Sequence, residues 1–169
     1  ENVTINPGTK RGGLYTRIKN NCLFMVGSHI AHDCMIGSNV ILANNATLAG
    51  HVKIEDYAII GGLSAIHQFV NIGKHSMISG GSLVRKDVPP YVMVKGNAAK
   101  PRCINRIGLQ RRGFPQDTIN ALRRCYRVLY LQGNTLETAI KKIEANEDNS
   151  SLVQKFLEFI IESERGIVR

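Results

Sequence analysis

The sequence predicts a left-handed parallel β-helix of hexapeptide repeats followed by a small α-helical C-terminal domain. A large aliphatic or aromatic residue recurs every six positions through the first half of the chain, and a mostly small residue stands two positions before each of them. This period stops before several helix-like segments. An amphipathic helix repeats about every 3.6 residues and a half-buried strand about every two, so neither explains the period. We therefore assign residues 1–100 to the β-helix and residues 101–169 to the helical domain.

The repeat fills two columns, in which the large residue occupies the interior and the small one packs beside it near the corner. The large column has twelve consecutive members: Ile18, Phe24, Ile30, Ile36, Leu42, Leu48, Ile54, Ile60, Ile66, Ile72, Ile78 and Val84. We expect the left-handed backbone angles of the corners at neighbouring glycine and asparagine residues. These residues are Gly27, Gly37, Asn39, Asn44, Asn45, Gly61, Gly62 and Gly73.

Three hexads form one coil of such a helix, so residues 18 positions apart stack about 4.8 Å apart. This rule brings four of the five histidines to one face over three coils, together with an aspartate, a glycine and a glutamine. The residues of this face are His29, His32, Asp33, Gly50, His51, His67 and Gln68. His75 stacks on Tyr57 at another face, and we expect it to be structural. Clusters of titratable side chains mark functional sites more often than single ones do.

The period ends at residues 87–90 (DVPP), and helix signals follow. Pro115 suits the first turn of a helix that ends near Gly133. Asn134 and Ser151 each stand three residues before a glutamate or glutamine, so we expect them to cap two further helices.

Charge is distributed unevenly along this chain of net charge +9. Residues 100–127 carry eight Lys or Arg against one acidic residue, whereas residues 128–169 carry five against seven. A basic segment of this kind attracts an acidic partner, whether a nucleic acid, an anionic membrane surface, a phosphorylated ligand or an acidic protein.

The remaining composition argues for a protein of the reducing cytosol. The four cysteines form no C-x-x-C pair, which disfavours a disulfide framework or a cysteine-only zinc site. No run of apolar residues reaches the roughly 20 needed for a membrane span. Glu1 stands just before the strand-like residues Val3 and Ile5 and is not an initiator Met, so we expect the chain to begin within a longer protein.

Three functions compete for these features. His32, oriented by Asp33, can act as a general base that activates a hydroxyl for acyl transfer, with an N–H such as that of Gly50 stabilising the oxyanion. Three histidines can instead bind zinc and leave one position open for water, as in a lyase or hydrolase. The third possibility is a non-catalytic trimeric scaffold whose basic segment binds nucleic acid, although the sequence lacks the interleaved aromatic residues that stack on bases.

Longer strings of the sequence resemble one enzyme family. They are residues 28–34 (SHIAHDC), 41–52 (ILANNATLAGHV), 65–69 (AIHQF), 87–92 (DVPPYV) and 108–114 (GLQRRGF). With these strings the chain resembles the acyl-carrier-protein–UDP-N-acetylglucosamine O-acyltransferases of lipid A biosynthesis, and it corresponds to roughly their C-terminal two-thirds. The resemblance implies a homotrimer that needs no metal or other cofactor.

The resemblance also implies a reaction and a role for individual residues. The enzyme transfers an (R)-3-hydroxyacyl chain from acyl carrier protein, which is acidic, to the glucosamine 3-hydroxyl of UDP-N-acetylglucosamine. The catalytic positions match His32 as general base, Asp33 as its orienting partner and Gly50 as the oxyanion donor. The positions around the sugar nucleotide match His29, His51, His67 and Gln68. Gly80 and Ala98 match positions that set acyl-chain length, and Asn105, Arg111 and Arg112 match positions facing phosphopantetheine or the carrier protein.

Overall fold

The structure, a computed structural model, describes residues 1–145 and 150–169. A short strand β1 (Thr4–Ile5) is followed by twelve two-residue strands, each of which ends on one member of the large column. These strands are β2 (Arg17–Ile18), β3 (Leu23–Phe24), β4 (His29–Ile30), β5 (Met35–Ile36), β6 (Ile41–Leu42), β7 (Thr47–Leu48), β8 (Lys53–Ile54), β9 (Ile59–Ile60), β10 (Ala65–Ile66), β11 (Asn71–Ile72), β12 (Met77–Ile78) and β13 (Leu83–Val84). The hexapeptide β-helix is therefore confirmed strand by strand.

Two longer strands, β14 (Val92–Lys95) and β15 (Lys100–Ile104), follow the repeats and complete three sheets. The sheets have the orders β1-β4-β7-β10-β13, β11-β8-β5-β2 and β15-β14-β12-β9-β6-β3. All pairs are parallel except β14 with β15. Between consecutive coils the partners are three hexads apart in sequence, as in His29↔Thr47 and Ala65↔Leu83. The stacking rule is thereby confirmed.

One coil is longer than the others. Thr4 of β1 pairs with His29 of β4, an interval that exceeds three hexads by more than one further hexad. The extra chain forms a loop between residues 6 and 16, and this loop contacts the candidate site described below.

The large column forms the core of the β-helix. Ile30, Leu42 and Leu48 are 0% exposed, whereas Ile18 and Phe24 in the first coil are only partly buried. Full burial of such a side chain stabilises a fold by roughly 1.5–3 kcal/mol. Because the large residues of successive coils pack on one another, each coil depends on the next for its stability.

Left-handed backbone angles recur every six residues, three positions after each large residue from Ile18 to Ile78. They occur at Asn21, Gly27, Asp33, Asn39, Asn45, His51, Tyr57, Leu63, Phe69, His75 and Gly81. Our expectation is thus right for Gly27, Asn39 and Asn45 and wrong for Gly37, Asn44, Gly61, Gly62 and Gly73. The corner sets the angle whatever the residue type. Gly73 serves close packing instead, since a Cβ there would lie 2.4 Å from the backbone N of Pro90.

The sheet extends past the domain boundary drawn at residue 100, because β15 continues to Ile104. A short helix α1 (Arg106–Arg111), which we did not predict, follows at once. Its N-cap is Asn105, whose side chain accepts a hydrogen bond from the Gly108 amide. The helical part is therefore joined to the β-helix through the antiparallel pair of β14 and β15.

Three further helices complete the chain: α2 (Gln116–Tyr130), α3 (Leu136–Glu144) and α4 (Ser151–Ile161). Pro115 precedes α2 as predicted. The other two caps lie one residue from the predicted positions: Thr135 caps α3 by accepting from the Thr138 amide, and Ser150 caps α4 by accepting from the Val153 amide. Among the described residues, no helix combines the length and apolar character needed to cross a bilayer.

Candidate active site

The histidine edge, where the five-stranded sheet meets the four-stranded sheet, consists of the turns at residues 31–34, 49–52 and 67–70. Two columns of side chains stack along it. The His51 and Phe69 rings are parallel within 7°, with centroids 4.5 Å apart. The His32 and His51 rings meet edge to face at 5.1 Å. The structure therefore brings His32, Asp33, Gly50 and His51 together, as the stacking rule predicted.

His32 and Asp33 form the tightest pair at this edge. Nδ1 of His32 lies 2.8 Å from Oδ2 of Asp33. The Asp33 side chain is fully buried, whereas 45% of the His32 side chain is exposed. An ionised carboxylate only accepts hydrogen bonds, so Nδ1 of His32 carries the proton, and in the neutral imidazole Nε2 then keeps its lone pair. This is the arrangement that a general base requires.

Asp33 is held by the long loop of the first coil. Its Oδ1 accepts from the Thr9 amide at 2.9 Å, and its Oδ2 accepts from the Thr9 hydroxyl at 2.8 Å. The Asp33 amide donates to Oγ1 of Thr16 at 2.9 Å. Burial raises the pKa of Asp33, but the hydrogen bonds from His32 and Thr9 and the nearby His51 outweigh burial and lower it to about 2. Asp33 is consequently ionised at neutral pH.

Gly50 lies directly against the His32 ring. A Cβ on Gly50 would lie 2.5 Å from Cε1 and 2.7 Å from Nε2 of His32. Its backbone φ is not left-handed, so the glycine serves the close approach of the imidazole. Within the described residues, the Gly50 N–H makes no hydrogen bond, while those of Ala49 and His51 bond to the neighbouring coils. A free donor therefore stands beside the basic nitrogen of His32.

Two other histidines of the predicted face have contacts of their own. Nδ1 of His29, on β4, lies 2.7 Å from Oγ1 of Thr4. His67 lies one coil beyond Gly50, and its Nδ1 is 3.2 Å from the Gln68 carbonyl oxygen. Both His67 and Gln68 are exposed.

The residues predicted to contact phosphopantetheine or the carrier protein lie elsewhere. The tyrosine edge, formed by residues 55–58 and 73–76, joins the four-stranded and six-stranded sheets. The Arg112 guanidinium lies 5.2 Å from the Tyr57 ring centroid. Arg111 is exposed at the end of α1. Within one chain, this edge and the histidine edge are separated by the width of a sheet.

The Asn105 side chain makes structural hydrogen bonds that the sequence did not predict. Its side chain is buried, its Nδ2 donates to the His75 carbonyl oxygen at 2.9 Å, and its Oδ1 caps α1. The side chain therefore fixes the start of the helix that carries Arg111. A direct contact between Asn105 and a ligand stays a prediction.

His75 is structural in its surroundings, as expected. Its ring stacks on Tyr57 at 4.8 Å and on Tyr91 at 5.9 Å, and Phe114 packs against it edge to face. Burial, together with the charges of Arg112 and Lys74, lowers the pKa of His75 to about 4. His75 is therefore neutral at physiological pH.

Gly80 and Ala98 lie near the third edge, formed by residues 61–64 and 79–82. Both are exposed. The segment containing Ala98 runs beside β13, where Leu83 pairs with Asn97. These two small residues are thus close to the same end of one sheet and away from His32 in the same chain.

The cluster of His32, Asp33 and His51 also has some features of a metal site, since one ligand atom from each lies within 4.8 Å of the others. The carboxylate is already engaged, however, by two hydrogen bonds from Thr9 and one from His32. His29 and His67 do not join this group of donors. The predicted site of three histidines is therefore not assembled among the described residues.

The coils define a class of protein, the hexapeptide-repeat transferases. A family model for the bacterial transferase hexapeptide, six repeats long, matches residues 15–50. A second model, described as domain 2 of UDP-N-acetylglucosamine O-acyltransferase, matches residues 87–168.

Individual relatives narrow the class further. The chain is 51% identical over 169 residues to the acyl-[acyl-carrier-protein]–UDP-N-acetylglucosamine O-acyltransferase of Aliivibrio salmonicida, and 49% identical over 173 residues to that of Burkholderia orbicola. All of this chain matches, and it spans 64% and 66% of the two relatives' lengths.

Two solved structures with similar names also superpose closely on this chain. LpxA from Acinetobacter baumannii superposes with a TM-score of 0.95 at 43% identity, over 100% of this chain and 66% of that one. UDP-N-acetylglucosamine acyltransferase from Campylobacter jejuni superposes with a TM-score of 0.89 at 43% identity, over 99% of this chain and 68% of that one. The chain belongs to the UDP-N-acetylglucosamine O-acyltransferase family.

Proposed function

We propose that this chain carries the catalytic part of an enzyme that transfers an (R)-3-hydroxyacyl group from acyl carrier protein to the 3-hydroxyl of UDP-N-acetylglucosamine, the first step of lipid A biosynthesis. The observation that carries the proposal is the His32–Asp33 pair beside the free N–H of Gly50. The family and the names of the relatives supply the substrates.

The chemistry requires three groups at the histidine edge. Nε2 of His32 takes the proton of the sugar 3-hydroxyl as its oxygen attacks the thioester carbonyl carbon. The Gly50 N–H donates to the carbonyl oxygen as negative charge develops on it. The carbon–sulfur bond then breaks, and the proton on His32 passes to the departing thiolate. Asp33 keeps the imidazole in the tautomer that this sequence needs.

The proposal extends to substrate contacts. His29, His51, His67 and Gln68, which match the sugar-nucleotide positions of the family, offer hydrogen bonds to the sugar nucleotide. Arg111 and Arg112 bind the phosphate of phosphopantetheine or acidic side chains of the carrier, since a guanidinium can donate two parallel hydrogen bonds to either group. No metal takes part, and the compartment is the cytoplasm, in keeping with four unpaired cysteines.

We propose further that the active form is a homotrimer whose sites lie between chains. Arg112 is at the tyrosine edge and His32 is at the histidine edge, so one chain alone does not present both to one substrate. A neighbouring copy related by a threefold axis can bring its tyrosine edge to this histidine edge.

Mixing two inactive variants tests this arrangement. Neither His32→Ala nor Arg112→Ala alone transfers acyl groups efficiently, but when an equal mixture is unfolded and refolded into trimers, about one site in four combines an intact His32 with an intact Arg112. We expect about a quarter of the wild-type transfer rate per site. A mixture no more active than its components would refute a shared site, and an inactive wild-type chain would refute the function itself.

The zinc-dependent alternative is favoured by one observation, the convergence of His32, Asp33 and His51. Elemental analysis of protein prepared without added metal separates the two functions. We expect no stoichiometric zinc and an unchanged transfer rate after treatment with a chelator. Stoichiometric zinc, lost together with activity on chelation and in the His51→Ala variant, would favour a lyase or hydrolase.

A further inference from the structure

The residues that follow α4 return to the β-helix and are fixed there by Asp87. Oγ of Ser163 donates to Oδ2 of this buried aspartate at 2.7 Å. The Asp87 amide donates to the Gly166 carbonyl at 3.2 Å, and the Val168 amide donates to the Asp87 carbonyl at 2.9 Å. Hydrogen bonds therefore anchor the chain on both sides of Arg165.

Burial of the residues that follow Arg165 also holds this segment in place. Ile167 and Val168 are each only 3% exposed. The backbone of Gly166 has a φ of +72°, which a glycine adopts without strain and which turns the chain inward directly after Arg165. The Arg165 side chain consequently projects from a backbone whose position is set by the core of the protein.

Arg165 reaches the histidine edge. Its Nη2 lies 3.3 Å from Nδ1 of His67 and 3.5 Å from the carbonyl oxygen of Arg85. A guanidinium has donors only and does not lose its proton in proteins. A hydrogen bond from Arg165 therefore requires that Nδ1 of His67 be an acceptor, with the ring proton on Nε2.

A second contact at Nδ1 of His67 would require the opposite tautomer of the ring. Nδ1 of His67 also lies 3.2 Å from the carbonyl oxygen of Gln68, which can only accept. That contact forms a hydrogen bond only when Nδ1 carries the proton. The two contacts at Nδ1 are mutually exclusive as hydrogen bonds, so the tautomer of His67 depends on which of them forms.

We infer that Arg165 is a positioning residue for His67: it donates to Nδ1 and holds the imidazole in the neutral tautomer that has its proton on Nε2. His67 then offers the sugar nucleotide a hydrogen-bond donor, suited to a hydroxyl, carbonyl or phosphate oxygen. This inference rests on the proposed function, in which His67 contacts the sugar nucleotide. It makes the C-terminal segment, which is far from His67 in sequence, part of the substrate site.

The first test is spectroscopic and does not depend on catalysis. Long-range ¹H–¹⁵N correlation spectra at mildly alkaline pH distinguish the protonated from the unprotonated imidazole nitrogen, and a His67→Gln variant identifies the His67 signals. We expect an unprotonated Nδ1 in the wild type and a shift toward protonated Nδ1 in Arg165→Ala. A protonated Nδ1 in the wild type, or identical spectra of wild type and Arg165→Ala, would overturn the inference.

The second test is kinetic and includes a matched control. We expect Arg165→Ala to raise KM for UDP-N-acetylglucosamine roughly 3- to 10-fold, the effect of one hydrogen bond, with a smaller change in kcat. Arg165→Lys, which retains a donor, should restore part of the loss. Lys155→Ala, which removes one positive charge from an exposed position on α4, should leave both constants unchanged.

A double variant separates a role through His67 from a direct contact with substrate. If Arg165 acts through His67, its substitution has no further effect on KM in a His67→Ala background. Additive losses in the double variant would overturn the inference and assign Arg165 a contact of its own. Failure of the proposed function would instead appear as an inactive wild type with the His67 tautomer unaltered.

Discussion

The buried carboxylate of Asp33 lies 2.8 Å from Nδ1 of His32, whose ring is almost half exposed. The two residues are adjacent in sequence, and the backbone at Asp33 is left-handed at this corner, with a φ of +60°. Because Asp33 is buried and His32 is partly exposed to solvent, the two residues have different roles. Asp33 is placed to fix the tautomer of His32, and under the proposed function His32 meets the substrate.

Replacing Asp33 with Asn tests this division. The amide cannot accept every hydrogen bond that Asp33 receives, and its NH₂ group favours the wrong tautomer of His32. We expect a loss in kcat of up to about 10⁴-fold, the scale of the loss when the aspartate of a Ser-His-Asp triad is replaced by asparagine. Steady-state assays with a hydroxyacyl carrier protein check this value. A kcat within a few fold of the wild type would show that Asp33 is not needed to orient the base.

The same carboxylate predicts how stability depends on pH. The pKa of Asp33 is about 2 in the folded chain against a reference value of 3.8, so ionised Asp33 stabilises the fold above about pH 4. We expect this contribution to disappear as the pH falls from about 4 toward 2. Urea unfolding at fixed protein concentration, repeated down this range, should give a steeper decline for the wild type than for Asp33→Asn.

A control distinguishes this contribution from a general effect of charge. Glu158→Gln removes an exposed carboxylate from α4 and should decline with the wild-type slope. Equal slopes for the wild type and Asp33→Asn would contradict the assigned role of Asp33.

Gly50→Ala should affect catalysis far more than folding. The added methyl would lie 2.5 Å from Cε1 of His32, and the exposed ring can move away at little cost in stability. We expect kcat to fall at least about tenfold, because misplacing a reacting group is costly, with a nearly unchanged melting temperature. In a His32→Ala background the same change should have little additional effect. A wild-type kcat in Gly50→Ala would show that this close approach is unimportant.

Under the proposed function, Gly80→Met should shorten the acyl chain that is accepted. A Cβ at Gly80 meets only the Gly62 backbone, at 3.2 Å, so the longer side chain can extend into solvent from an intact corner. We expect selectivity to shift toward shorter hydroxyacyl groups in competition assays. Retained activity with the shortest substrates serves as the internal control. Unchanged product lengths would count against a role for Gly80.

The period of six in the sequence is sufficient to predict every two-residue strand from β2 to β13. Because three hexads complete a coil, the same period also places His32 near His51 and Gly50 near His32. A solenoid makes such inference possible, since a fixed interval in sequence becomes a fixed distance in space.

The contacts that the sequence did not predict come from segments outside the repeat. Thr9 lies in the longer first coil, where the stacking rule has no register. Arg165 comes from a tail whose path depends on the packing of the helices. The lengthened interval between Thr4 and His29 is the one signal for the Thr9 loop, and it becomes visible only once the pairing is known.

The caps of α3 and α4 were predictable from the sequence only to within one residue. Asn134 and Thr135, like Ser150 and Ser151, are adjacent residues that are both good caps, so sequence alone leaves the start uncertain by one position.

The acyl-transfer rate of His32→Ala beside that of the wild type tests the central claim most directly. With (R)-3-hydroxyacyl carrier protein and UDP-N-acetylglucosamine as substrates, we predict that the variant loses about 10²- to 10⁴-fold in kcat, because it lacks the base. It should keep its fold by circular dichroism, since the His32 side chain is 45% exposed. A folded variant that transfers acyl groups at close to the wild-type rate would contradict the account.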